Sequence, residues 1–261
     1  MIIKFGPAGI GGFKEAQEFL ERYNKVGIKC AEIPFTYKVW LDNSQAKKIG
    51  EIAKKFQVEL TIHAPYYINL NSRDFKKVQA SMQRILDCCE RAHYLQAKYV
   101  VFHAAYYEDI NPEKVFQIVK KRILEMERII KKNEWHVVLA PETTGKASQF
   151  GSLEELLQLV KETKCFFCVD FAHMLARKQK INYNEIFEKI KKANIDNLHC
   201  HFSGIEFTNK GEKRHVTTSE KAWRDLLSAF KKNKISANII NESPTPVEDS
   251  LLGLKIWNSL K

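Results

Sequence analysis

Eight short apolar runs punctuate the chain, and between them apolar positions recur at three- and four-residue spacing. The runs are IIKFG (from Ile2), IKCAEIP (Ile28), VELTIHA (Val58), KYVVFHA (Lys98), HVVLAPE (His136), CFFCVDF (Cys165), NLHCHFS (Asn197) and SANIINE (Ser236). Each is nearly continuous in apolar or β-branched residues, the pattern of strands covered on both faces. The segments between them read as amphipathic helices. In RDFKKVQASMQRILDCCERAHYL, for example, Phe75, Val78, Met82, Ile85 and Cys89 fall on one stripe. Start signals support the assignment. Asn111 before Pro112 is an N-cap with proline in the first turn. Ser152 with Glu155 fits a capping box. Ser72 is expected to open the third helix, and Thr245-Pro246 the last.

Strand alternating with helix implies right-handed crossovers and a parallel sheet. Eight such units in 261 residues match a closed (β/α)8 TIM barrel of the α/β class, with its active site at the C-terminal ends of the strands. A doubly wound open sheet is the alternative. It calls for a G-x-G-x-x-G loop after the first strand, which FGPAGIGGF only loosely resembles. No Gly/Ser/Pro-rich linker divides the chain, so residues 1–261 are read as one domain.

Composition narrows the picture further. No apolar run reaches membrane-spanning length, and MIIKFGPAGIGG lacks a signal peptide's apolar segment. A soluble, cytoplasmic, monomeric protein is expected, without a membrane partner. The six cysteines do not suggest a disulfide scaffold. Cys165 and Cys168 have redox-pair spacing but sit in a buried-strand pattern, and Cys88 and Cys89 fall within a helix; all four read as core. The net charge is +11. Much of it lies on helix faces (KKFQ, KKRILEMERIIKK, EKIKKAN), yet the excess favours a polyanionic partner such as nucleic acid.

The chemistry concentrates where strands end. His63, His103, Glu142, Asp170 with His173 just beyond, His199 with His201, and Glu242 close successive strands. One strand-end histidine is usually a hydrogen-bonded core residue, but a whole series converging on one barrel mouth is not. Crowded carboxylates would repel or take up protons, and a divalent cation removes that cost. Mixed His, Asp and Glu ligation suits zinc, with manganese or iron as alternatives. The donors outnumber the four that one tetrahedral ion needs, so two or three ions are expected, an arrangement typical of phosphoester hydrolysis.

His63, His103, Glu142, Asp170 and His173 stand in IHAPYYINL, VFHAA, PETTGKASQFGSLEEL and CVDFAHML, and through these motifs most of the chain resembles the endonuclease IV family, in its shorter archaeal-type form. The resemblance implies a zinc-dependent apurinic/apyrimidinic endonuclease of base-excision repair. Such an enzyme hydrolyses the phosphodiester 5′ to an abasic site in double-stranded DNA and leaves a 3′-hydroxyl. It implies that His63, His103 and Glu142 serve the first ion and the catalytic step, that Glu142, Asp170, His199 and Glu242 hold the second, and that His173 and His215 hold the third. Tyr66 and Asn69 fall where the family approaches the bent duplex. Lys38 and Val39 stand where it inserts an arginine-glutamine pair, and Pro7 where it usually has a histidine. Where it reads Asp-Arg-His, this chain reads Lys213-Arg214-His215 in a segment about one residue longer, so the third ion loses its aspartate. Glu212, His201 and Glu206 are candidate substitutes, and two firm zinc ions with a weaker third are expected. Lys213 and Arg214 read as phosphate contacts. Two other readings stay open: a xylose-isomerase-like sugar isomerase or epimerase, and a non-catalytic abasic-DNA-binding relative.

Overall fold

A computed structural model describes residues 1–260. Twelve strands and nine helices follow one another among them. In chain order they are β1 (Ile3–Pro7), α1 (Ala16–Lys25), β2 (Cys30–Pro34), α2 (Asn43–Lys55), β3 (Glu59–His63), α3 (Phe75–Leu95), β4 (Tyr99–Phe102), β5 (Ala105–Tyr106) and α4 (Pro112–Lys132). Then come β6 (Val138–Pro141), β7 (Gln149–Phe150), α5 (Leu153–Glu162), β8 (Cys168–Asp170), α6 (Phe171–Lys178), α7 (Tyr183–Lys192), β9 (Asn197–Phe202), β10 (Gly204–Thr208), β11 (Gly211–Val216), α8 (Glu220–Asn233), β12 (Ser236–Asn241) and α9 (Pro246–Leu260). The eight expected runs supply the barrel. Parallel pairing gives β1-β12-β9-β8 and β2-β3-β4-β6. Parallel bridges from Ala8 to Glu32 and from Glu142 to Cys168 join the two arcs and close the ring.

Helix starts agree with the reading at Asn111, which accepts from the Glu113 amide, and at Ser152, whose capping box with Glu155 is complete. The third helix starts two residues later than expected. Asp74 accepts from the Lys76 amide, while the Ser72 hydroxyl accepts from the Asp74 amide. A carboxylate is the better partner for orphan amides at the positive end of a helix. The stretch after Phe202 forms an antiparallel hairpin, β10–β11.

The strands are buried on both faces, and successive side chains point to opposite sides of the barrel wall. Leu60, Ile62, Val100, Phe102, Leu139, Val169, Leu198, Cys200 and Ile239 face outward and join the main core under the helices. Trp223 and Phe230 from α8 are fully buried there, Trp223 edge-on to Phe5 and Phe202. Tyr99, Val101, Ala140 and Cys168 form a separate, smaller cluster inside the barrel. Glu32, Thr61, His63, Glu142, Asp170, His199 and His201 share that interior and are all buried. A barrel interior is normally filled by branched apolar residues; here its upper half is ionisable. All six cysteines are buried and unpaired. No helix is long and apolar enough to cross a membrane among the described residues.

Candidate metal centre

Glu142 sits at the middle of the mouth, one residue past β6, with 1% exposure. Its Oε2 lies 3.1 Å from His63 Nε2 and 2.9 Å from His103 Nε2. Its Oε1 lies 3.0 Å from His201 Nδ1 and 3.2 Å from His173 Nδ1. Four imidazoles from β3, β9, α6 and the residue after β4 therefore divide between the two oxygens of one carboxylate.

Local structure aims these donors. His63 Nδ1 lies 2.8 Å from the Ala64 carbonyl, to which it donates, leaving the Nε2 lone pair for the centre. Asp170 caps α6, taking the His173 amide on Oδ1 at 2.7 Å, and so keeps Oδ2 for the centre. The same cap places His173 in the first turn of α6. Glu242 follows β12, with Oε2 3.4 Å from His201 Nδ1. Donor atoms of Glu142, Asp170, His201 and Glu242 all lie within 4.8 Å of one another, as do those of Asp170, His173 and His215.

Sheet register corrects one expected ligand. His201 is level with Asp170, whereas His199 is level with Cys168, one pleat lower. Strand β9 runs on to Phe202, so the histidine nearer its start cannot reach the mouth. His199 Nε2 instead lies 3.0 Å from Glu32 Oε2. His201 takes the place expected for His199.

The hairpin brings the remaining donors. Glu206 pairs with Arg214, but Phe207 pairs with Glu212, so Lys213 is an unpaired bulge residue. A bulge shifts the alternation by one. Glu212 thereby shares the inward face with His215, and its Oε2 comes 3.2 Å from His173 Nε2. Two glycines seat the hairpin. A Cβ on Gly145 would fall 2.0 Å from Glu212 Oε2, and one on Gly211 (φ +103°) would fall 2.3 Å from the Gly145 carbonyl. His215 is anchored through Nδ1 to the Ser203 hydroxyl at 2.6 Å.

Glu206, the other substitute considered, is taken up elsewhere. Arg214 grips it at 2.9 and 2.7 Å and Lys213 lies 3.7 Å away. Both cations are exposed on the hairpin's rim. Tyr66 is 60% exposed beside the mouth, and Lys38 is exposed nearby. Asn69 is only half-exposed; its side chain donates to Glu108 and accepts from the Asn71 and Tyr106 amides, so it braces the loop. Val39 packs against the core.

The charge balance is unusual for an interior. Burial opposes ionisation of Glu142, but the imidazoles of His201, His103 and His173 hold its carboxyl well below the ordinary range. Glu242 is likewise lowered to about 2 against its burial, chiefly by His201. Burial raises Asp170, only partly offset by His173. Despite burial, Glu142 raises His63 to about 9. His173 and His201 are also raised well above the imidazole range, against burial, by the surrounding acids.

The donor set fits divalent cations. Two donors each about 2.1 Å from a shared tetrahedral ion lie about 3.4 Å apart, and the Glu142 and Glu242 contacts above run from 2.9 to 3.4 Å. Asp170 Oδ2 and Glu212 Oε2 are buried without a hydrogen-bond partner, a state that costs a carboxylate oxygen dearly and that a cation relieves. A cavity of about 190 Å³ opens over the cluster, lined by Tyr66, His63, His103, His173, Glu212 and Glu242 among others. A larger hollow of about 640 Å³ lies at the opposite, strand-start end. Lys4 and Asn238 both donate to Glu59 there, and none of the candidate donor groups lies in it.

Glu32 was overlooked in the sequence. A lone carboxylate inside the otherwise apolar run IKCAEIP was its signal.

A sequence-family model described as "Xylose isomerase-like TIM barrel" matches residues 20–259. Similar chains include an uncharacterized protein, MJ0133, of Methanocaldococcus jannaschii, 34% identical and covering 100% of this chain and 98% of its own. A protein of Sulfurihydrogenibium sp. named "Probable endonuclease 4" is 26% identical over 67% of each chain. Solved structures that share the fold include SacUVDE (14% identity, TM-score 0.76, 100% and 99% coverage). Endonuclease IV of Thermus thermophilus (20%, 0.70, 98% of each) and D-psicose 3-epimerase of Clostridium cellulolyticum (12%, 0.66, 99% and 97%) share it too.

Proposed function

The chain belongs to the xylose isomerase-like TIM barrel family, and from that premise we propose that it is a metal-dependent endonuclease of DNA repair that incises double-stranded DNA 5′ to abasic sites and leaves a 3′-hydroxyl. The observation that carries the reading is Glu142, one buried carboxylate with His63 and His103 at one oxygen and His201 at the other. That is the arrangement of a carboxylate bridging two cations.

His63, His103 and Glu142 would hold the first ion. Glu142, Asp170, His201 and Glu242 would hold the second, and His173, His215 and Glu212 a third. Zinc is the first choice and manganese the alternative; when bound, such ions supply Lewis acidity and an activated water for phosphodiester hydrolysis. The backbone bond on His63 Nδ1 and the capping bond on Asp170 fix their side chains before substrate arrives. Lys38, Lys213 and Arg214 meet phosphates around the mouth, Tyr66 meets the distorted duplex, and Asn69 keeps the Tyr66 loop in place. The net charge of +11 draws the polyanion in. The enzyme would act as a cytoplasmic monomer.

The test is incision of a duplex containing a tetrahydrofuran abasic analogue by zinc-loaded protein, with both new ends identified. Cleavage 5′ to the lesion that Glu142→Gln abolishes supports the reading. Binding without cleavage under zinc and manganese would mark a non-catalytic relative instead. Epimerisation of a ketose without incision would mark a sugar enzyme.

A further inference from the structure

Beneath the mouth lies a carboxylate that the reading above leaves idle. Glu32 is completely buried and comes from β2, a strand that gives no donor to the Glu142 cluster. Its Oε2 accepts from the Thr61 hydroxyl at 2.7 Å and lies 3.0 Å from His199 Nε2. Its Oε1 lies 2.8 Å from His201 Nε2. The His201 ring thus spans two carboxylate layers, with Nε2 over Glu32 and Nδ1 facing Glu142 and Glu242.

A neutral imidazole carries one proton. If it stands on Nε2, Nδ1 offers its lone pair to the centre; if it stands on Nδ1, His201 cannot be a ligand there. A carboxylate held against Nε2 selects the first form. The Glu32–His201 approach is close but bent, and neither atom has a formed hydrogen bond. Drawing Nδ1 toward a cation would rotate the ring and straighten it.

We propose that Glu32, braced by Thr61 and His199, is a positioning residue that fixes the tautomer and orientation of His201 for the cation shared with Asp170 and Glu242. The proposal rests on the metal reading of the centre. It gives His199 a role two residues from the ligand it accompanies. That role is to hold the carboxylate that orients the ligand.

Glutamine at position 32 keeps the shape of the side chain but loses the charge and one acceptor. Zinc-loaded wild type, Glu32→Gln and Thr61→Val are dialysed against rising EDTA, and bound zinc is counted. Each is also reloaded with cobalt(II) and its visible ligand-field spectrum recorded. Circular dichroism of the metal-free proteins reports folding. The expected result is release of one zinc equivalent from Glu32→Gln at 10- to 100-fold lower chelator, with an altered cobalt spectrum. Thr61→Val, which removes a single hydroxyl, should show a smaller shift in the same direction, and it carries the test if Glu32→Gln does not fold. Folded variants that hold zinc like wild type, with its cobalt spectrum, would overturn the proposal and leave the metal reading standing. Wild type that holds no zinc would overturn both.

Discussion

Gly145→Ala moves a proposed ligand without changing its chemistry. The new Cβ would sit 2.0 Å from Glu212 Oε2, 2.9 Å from Glu212 Cβ and 3.0 Å from Cδ. Ordinary contact begins at 3.4 Å, so the carboxylate must retreat by roughly 1.4 Å. Metal–ligand distances tolerate about 0.2 Å, and a displacement several times larger removes Glu212 as a donor. The carboxylate can swing away, but Glu212 Cβ must yield as well, so the overpacking cost is about 1–3 kcal/mol. Metal-free Gly145→Ala should therefore still fold, with stability lowered by about that amount. In the loaded protein, one zinc equivalent should exchange at least about tenfold more readily, and Glu212→Gln should reproduce the effect. Bound metal measured by mass spectrometry after graded chelator dialysis provides the assay. Three zinc equivalents held as firmly by Gly145→Ala as by wild type would refute the claim that Glu212 replaces the family's aspartate.

Other outcomes follow from the same geometry. His201→Ala should lose a tightly held zinc and most incision, while His199→Ala should keep the stoichiometry with weaker retention; equal losses in metal counting would contradict the register argument. Lys38→Ala should weaken DNA binding and reduce the slope of log K against log salt by about one, read by fluorescence anisotropy; an unchanged slope removes Lys38 from the phosphate contacts. Stability against pH should differ between the metal-free and loaded protein. In the free protein His63, raised from 6.5 to about 9, contributes fully below 6.5 and loses its contribution as pH rises through 9. Glu242, lowered from 4.5 to about 2, contributes above 4.5 and loses its contribution as pH falls through 2. Asp170, raised by burial, works against this acid limb. The metal-free melting temperature should thus fall between pH 6.5 and 9, whereas zinc, which displaces the histidine protons, should remove that fall; identical alkaline limbs would refute it.

The barrel was legible because strand ends are marked by chemistry and strand bodies by continuous apolar residues. Which histidine of a pair two apart reaches the mouth was not legible. Both face inward, and only the pairing of His201 with Asp170 sets their heights. Glu212 and Glu206 were equally open for a related reason. Their faces depend on a bulge at Lys213 that exists only once β10 and β11 pair. Glu32 lay in plain view in IKCAEIP, but its partners come from β3 and β9, and no local pattern joins those strands. Ser72 and Asp74 were both acceptable caps, and tertiary context chose the carboxylate.

The hairpin carrying Glu212 and His215 pairs only with itself, outside the barrel's ring of backbone bonds. Six strands and one helix supply the Glu142 core of the centre, and none of its donors lies on the hairpin. Insertions and deletions there can re-space the third set of donors while the first two keep their geometry. In the proposed three-ion reading, Glu212 would take the place of the aspartate that the resemblance implies, by way of the bulge at Lys213. If a third ion binds as proposed, its donors form an interchangeable cartridge, and grafting hairpins between family members would change them without rebuilding the barrel.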